Sequence, residues 1–143
     1  MASNHAFRRI KDLVVYRQTN RPLSDQEWGA FLNVLTSGDG IQNLRVLVVT
    51  DGAGPNSDQR RRLKETLGNS KPKASIVTDS VATRFVVSSI AFITPNIRAF
   101  TKNEMNEAYE HLGLDPVTRK LAERTLSELS ESLGVAGHWP AKG

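Results

Sequence analysis

Two strand-end acids and one loop carry the most chemically suggestive residues of this chain. Asp51 follows "LRVLVVT" and Asp79 follows "KASIVT", so each acid closes an apolar, β-branched run. In α/β proteins that edge of the sheet is where ligands bind. Behind Asp51 comes "DGAGPNSDQRRRL", which joins two glycines, a proline, a serine and three consecutive arginines. A glycine-rich approach to a helix N-terminus favours anions, yet the spacing is neither G-x-x-x-x-G-K-[ST] nor G-x-G-x-x-G. Pro55 removes an N–H, and Asp51 and Asp58 repel phosphate. These features argue against a nucleotide cradle. A second possibility is a phosphoacceptor aspartate, because Asp51, Thr78 and Lys102 end or follow successive strand candidates. That chemistry needs further acids to hold Mg²⁺, and "LVVYRQ" (13–18) ends in Arg17 and Gln18 instead. A third is a regulatory phosphoserine at Ser57, where added charge would meet the positive end of a helix dipole. The structural alternative is capping. Asn56 or Ser57 accepts a first-turn N–H, Gln59 completes a capping box if Asn56 is the cap, and Gly52 and Gly54 relax the turn.

Other chemistries find less support. The chain has no cysteine, which removes disulfides, thiolate catalysis and cysteine metal sites. His5, His111 and His138 are isolated, with no H-x-x-x-H or E-x-x-H spacing, so neither a metal nor a cofactor is expected. No G-x-S-x-G elbow occurs. Asp51 and Asp79 would be the acids of a small enzyme, but the reading favours no catalytic residue and no enzyme. Nineteen basic against fifteen acidic residues leave a net charge of +4. Arg8, Arg9, Lys11 and Arg60 to Arg62 are too interspersed with acids to form the basic, aromatic stripe of a nucleic-acid binder. The start "MASNHAFRRIKD" has no apolar signal core. No apolar run approaches the roughly 18 residues of a membrane span. A cytoplasmic protein is expected.

The elements that must position these residues alternate. "LVVYRQ" reads as a strand. Ser24 and Glu27 form a capping box, and Trp28, Phe31, Leu32 and Leu35 mark one helical face, ended by Gly38 and Gly40. Residues 44–50 form a strand buried on both sides, and the loop and a second helix run to about Gly68. Residues 73–79 are a strand. "SVATRFVVSSIAFI" is β-branched, but its length and the spacing of Ala82, Phe85, Val86, Ser89 and Ile90 predict a helix. "TPN" turns into a short strand, 97–100. Thr101 and Glu104 form another box, before a helix whose buried stripe is Met105, Ala108, Tyr109 and Leu112. Asp115 caps a last helix with Pro116 in its first turn and with Val117, Leu121, Leu126, Leu129 and Leu133 along it. Alternation of this kind predicts right-handed crossovers and a mainly parallel sheet covered by helices.

With that order laid out, the chain resembles the STAS-like, SpoIIAA-like family of small bacterial α/β proteins. The matching stretches are "LRVLVVTDGAGPNSDQRRRL", "KASIVTDS" and "IRAFTKNEMNEAYEHLGL". The resemblance implies a single α/β domain with a four- to five-stranded, mainly parallel sheet and an extra C-terminal helix. Residues 1–12 would be an N-terminal arm or edge strand, 13–114 the STAS-like domain, 115–133 the C-terminal helix and 134–143 a flexible tail. It also implies a non-enzymatic regulatory module that binds a protein partner, and more weakly a lipid or another apolar ligand. In the phosphorylated members a serine begins the helix after a central strand, and Ser57 is the counterpart here. The expected partner surface is therefore Ser57, Asp58, Arg60 and Arg61, beside the strand-end loop residues Asp51, Gly52 and Asp79. A small-molecule site would lie between the second and third helices and the strand ends. The leucine stripe of the last helix could pair two copies of the chain or pack on the core.

Overall fold

Strand alternation sorts this chain's apolar residues onto two faces of one sheet. The computed structural model describes residues 4–37, 40–91 and 96–135, with the backbone alone at 89–91. The strands are β1 (His5–Ile10), β2 (Leu13–Gln18), β3 (Arg45–Thr50), β4 (Lys73–Val77) and β5 (Ile97–Phe100). The helices are α1 (Asp25–Thr36), α2 (Ser57–Leu67), α3 (Val81–Ala91), α4 (Met105–Leu112) and α5 (Pro116–Leu133). The sheet order is β1-β2-β3-β4-β5. β1 runs antiparallel to β2 along one edge, and every other pairing is parallel. This is the α/β architecture that the alternation predicts.

Residues of odd number on β2 and β3 point to one face. Leu13, Val15, Leu47 and Val49, with Val77 and Phe100, pack there against Tyr109 and Leu112 of α4 and Leu126 and Leu129 of α5. Residues of even number point to the other. Val14, Tyr16, Val46, Val48 and Ala74 meet Trp28, Phe31, Leu32 and Leu35 of α1, together with Val87 of α3. Both faces being covered explains the unbroken apolar runs of β2 and β3.

Local chemistry sets the helix ends. Ser24 and Glu27 form the expected box at α1. At α2 the Asn56 side chain accepts the Gln59 N–H at 2.8 Å, and the Gln59 side chain accepts the Asn56 N–H at 3.1 Å. Asn56 is thus the cap, and Ser57 is the first helical residue. The Thr101–Glu104 box opens a short 3₁₀ turn, Lys102–Glu104, which leads into α4. Asp115 caps α5 by accepting the Thr118 N–H at 2.7 Å.

The third helix forms as its length predicts, with a different buried face. Thr83 and Val87 are buried, Val86 is half-buried, and Ala82 and Phe85 face solvent. The Thr83 hydroxyl donates to the Gly52 carbonyl at 2.8 Å, which holds the helix in that rotation. The side chains of Ser89 and Ile90 lie outside the described residues, as do Gly38 and the tail from residue 136. On α5 the residues that enter the core are Ala122, Leu126 and Leu129, whereas Val117 is exposed. Among the described residues no helix is long and apolar enough to cross a membrane.

Candidate functional site

The strand-end acids occupy a charged cluster at the C-terminal edge of the sheet. Asp51 follows β3 on the odd-numbered face. Both of its oxygens accept from Arg17 Nη2, at 3.0 and 3.1 Å, and Oδ1 also accepts from Lys102 Nζ at 2.9 Å. Arg17 is fully buried, and its Nε donates to Ser130 Oγ of α5 at 3.0 Å. One guanidinium therefore ties β2, β3 and α5 together. Asp79 receives the Lys102 backbone N–H at 3.0 Å. Thr78 is buried, and its hydroxyl accepts the Ser80 N–H at 3.1 Å. Partial burial alone would raise the Asp51 pKa. The hydrogen bonds from Lys102 and Arg17, and their charges, outweigh that and hold it below the usual carboxylate range. A carboxylate held ionised between two cations is a poor proton acceptor at neutral pH. Its neighbours are cations where a metal-assisted phosphoacceptor would want acids. Gly52 adopts φ of +149°, a conformation that side chains rarely take, with its N–H donated to Thr50 Oγ1 at 3.1 Å.

The opening turn of α2 is a separate, exposed surface. Ser57 and Asp58 are exposed, as is Arg61, and Arg60 is half-buried. Arg60 donates to the Pro55 carbonyl at 3.0 Å and to Ser57 Oγ at 3.2 Å. Arg61 pairs within the helix with Asp58, and with Glu65 at 3.0 Å. Arg62 turns the other way, its guanidinium reaching the Asp25 carbonyl of α1 at 3.5 Å. The structure brings Asp51 and Lys102 together, keeps Asp79 beside them, and leaves the four α2 residues on their own face.

A cavity lies on the even-numbered face, beneath α2 and α3. Its volume is about 90 Å³. Val46, Val48, Ala74 and Ile76 form its floor, and Leu63, Leu67 and Val87 are among its helix-side walls. The cause is legible in α2. "SDQRRRLKETL" offers two leucines in eleven residues, and its buried members are Gln59 and Leu67. The small Ala53 and Ala74 leave further room. Gln59 spends its side chain on α1, donating to the Leu23 carbonyl at 3.1 Å and to Asp25 at 3.2 Å. Trp28 Nε1 donates to the Gln59 carbonyl at 2.9 Å. Helix α2 is thus clasped to α1, and space remains on the α3 side.

The sequence reading used Arg17 and Gln18 only as a strand end that lacks acids, and gave Tyr16 no role. The available signal was positional. Two polar residues end a strand whose every residue is buried, at the edge where ligands bind.

No family model matches the sequence, and no curated protein does either. Among solved structures the chain is similar to an uncharacterized protein of the DUF3478 family from Shewanella loihica PV-4, described as having a SpoIIAA-like fold. The identity is 13 %, the TM-score is 0.51, and the likeness covers 78 % of this chain and 98 % of that one. The five-stranded, mostly parallel sheet with its covering helices is the SpoIIAA-like fold.

Proposed function

We infer that this protein is a non-enzymatic binding module that holds a small apolar molecule in the cavity beneath α2 and α3. One observation carries the reading. Beneath the helix with fewest apolar side chains the core leaves a cavity of about 90 Å³. Close packing is the rule for protein interiors, and an apolar void of this kind is a ready site for an apolar guest. The state of Asp51, ionised and doubly paired, supports a structural role for the charged edge. A thermal-shift screen of small apolar compounds tests the reading. A ligand at one hundred times its Kd should add about 2.7 kcal/mol of stability, and Ala74→Ile should abolish the shift. A screen that never moves the wild-type midpoint would sink it.

A second reading rests on a different observation. Ser57 is exposed in the first turn of α2, with the Arg60 guanidinium 3.2 Å from its hydroxyl. A phosphoryl group there would gain the helix dipole and an arginine partner. That placement supports a reading of regulation through a protein partner at Ser57, Asp58, Arg60 and Arg61. Intact-mass measurement of protein from its native cells checks it. A phosphoryl group mapped to Ser57 supports the reading, and unmodified protein under every growth condition contradicts it.

A further inference from the structure

The two edges of the sheet are finished differently. β1 carries Arg8 and Arg9, with Lys11 just beyond it, the basic load that keeps an edge from pairing. β5 at the other edge reads "IRAF" and pairs with β4 alone. It holds neither lysine nor proline, and its register with β4 runs without a bulge. The pairing shows which backbone groups are left over. The Ala74 N–H donates to the Asn96 carbonyl at 3.2 Å, and the Thr78 N–H to the Phe100 carbonyl at 2.9 Å. Successive residues of a strand turn their N–H and C=O groups to opposite sides. Those of Arg98 therefore turn to β4, and those of Ile97 and Ala99 turn outward, with no partner among the described residues.

Beside that edge lies a groove of about 380 Å³ between β5 and α4. Ala99 lines it although its side chain packs with the core of the opposite face, so the groove reaches the outer edge of the strand. Its other wall is acidic. Glu104, Glu107 and Glu110 are exposed, and none forms an ion pair among the described residues. Glu104 uses one oxygen to accept the Thr101 N–H at 2.8 Å. The basic side chains of the groove do not answer these charges. Arg98 leans over the Phe100 ring, 5.3 Å from its centre, and His111 Nε2 donates to the Asn96 carbonyl at 2.7 Å.

We propose that the outer edge of β5 is a docking site for an extended basic peptide of a partner protein, which joins the sheet as an added strand. The open N–H and C=O groups of Ile97 and Ala99 supply the backbone pairing, and the glutamates supply the charge preference. Side chains of a strand alternate between faces, so basic residues at every second position would meet the acidic wall. A second copy of this chain fits less well. Its β5 would bring the same acids, and the arginines of its β1 are engaged, Arg8 with Glu128 and Arg9 with the Val34 carbonyl. The site is separate from the cavity and from the opening turn of α2, and it stands or falls apart from both readings above.

The test titrates the full chain with acetyl-KVKVKV-amide and with acetyl-EVEVEV-amide, read by NMR amide shifts and hydrogen exchange. The basic peptide should slow exchange at the Ile97 and Ala99 amides, and the acidic peptide should leave them unchanged. The double variant Glu107→Gln with Glu110→Gln should weaken binding of the basic peptide about fivefold. Ala99→Pro removes an outward N–H at an edge position that tolerates proline, so it should keep the fold and lose the peptide. Should that variant not fold, exchange in the wild type carries the test. A basic peptide that binds with those two amides unaffected, an acidic peptide that binds as well, or no binding at all would overturn the proposal. Protection of the same amides that grows with protein concentration in the absence of peptide would assign the edge to a second copy and overturn it too.

Discussion

The two faces of the sheet are built from alternate residues of the same strands and end in different states. On the odd-numbered face Leu47 and Val49 are fully buried under α4 and α5, and Ala108 and Ala122 let those helices sit close. Arg17 on that face locks α5 to the strand ends through Ser130 and Asp51. On the even-numbered face Val46 and Val48 look up at α2, which has little apolar surface to return, and the cavity results. Adjacent residues of β2 show the contrast most directly. Arg17 points to the packed face and bonds Ser130 and Asp51, while its neighbour Gln18 lies on the cavity side. One face is closely packed, and the other holds a cavity.

The largest expected effect comes from unlocking the packed face. Asp51→Ala removes the carboxylate paired with the buried guanidinium of Arg17 and should cost about 3 kcal/mol in urea unfolding. The double variant Arg17→Met with Asp51→Leu should recover most of that loss. The same pair sets the acid limit. The folded pKa of Asp51 lies below its ordinary 3.8, so its contribution is fully present above that pH and is lost as the pH falls through the lower folded value. Wild type should lose stability across that acid window, and Asp51→Asn should show a shallower slope there.

Neighbouring valines of β3 measure the packing difference. Val49→Ala should cost about 2 kcal/mol and Val48→Ala about 1 kcal/mol, because a truncation beside an existing void removes fewer contacts. Equal costs would mean that the two faces are packed alike. Enlargement should reverse the sign. Ala122→Leu has no space to enter and should destabilise by about 2 kcal/mol, whereas Ala74→Val fills the cavity and should stabilise by about 1 kcal/mol. Thermal melts of the two variants check this directly. The smallest effect belongs to the exposed helix start. Ser57→Asp adds a charge at the positive end of α2 and should raise stability by about 0.5 kcal/mol at low salt, fading as salt is added.

Much of this arrangement was written in local sequence. β2, β3 and β4 stand out by their β-branched pairs and runs, β5 by the turn before it, and the boxes at Ser24, Asn56 and Thr101 carry their own chemistry in spacing alone. β1 was harder to see because "HAFRRI" has no apolar or β-branched run and carries two adjacent arginines, a charge load that edge strands tolerate. Phe85 misled for a related reason. Helical spacing admits several stripes, and the one that is buried was selected by Thr83 bonding a loop carbonyl far away in sequence. The charged edge was half legible. A strand-end acid and the lysine after the last strand must converge in a parallel sheet, but Arg17 meets Ser130 across 113 residues, beyond any local period. The cavity was anticipated between the second and third helices.

The most direct test of the two-face account is methyl NMR of the full chain under increasing xenon pressure. The account predicts saturable shifts at Val48, Leu67 and Val87, and silence at Leu47, Val49 and Leu126. No shift at the first set, or equal shifts at both sets, would contradict it.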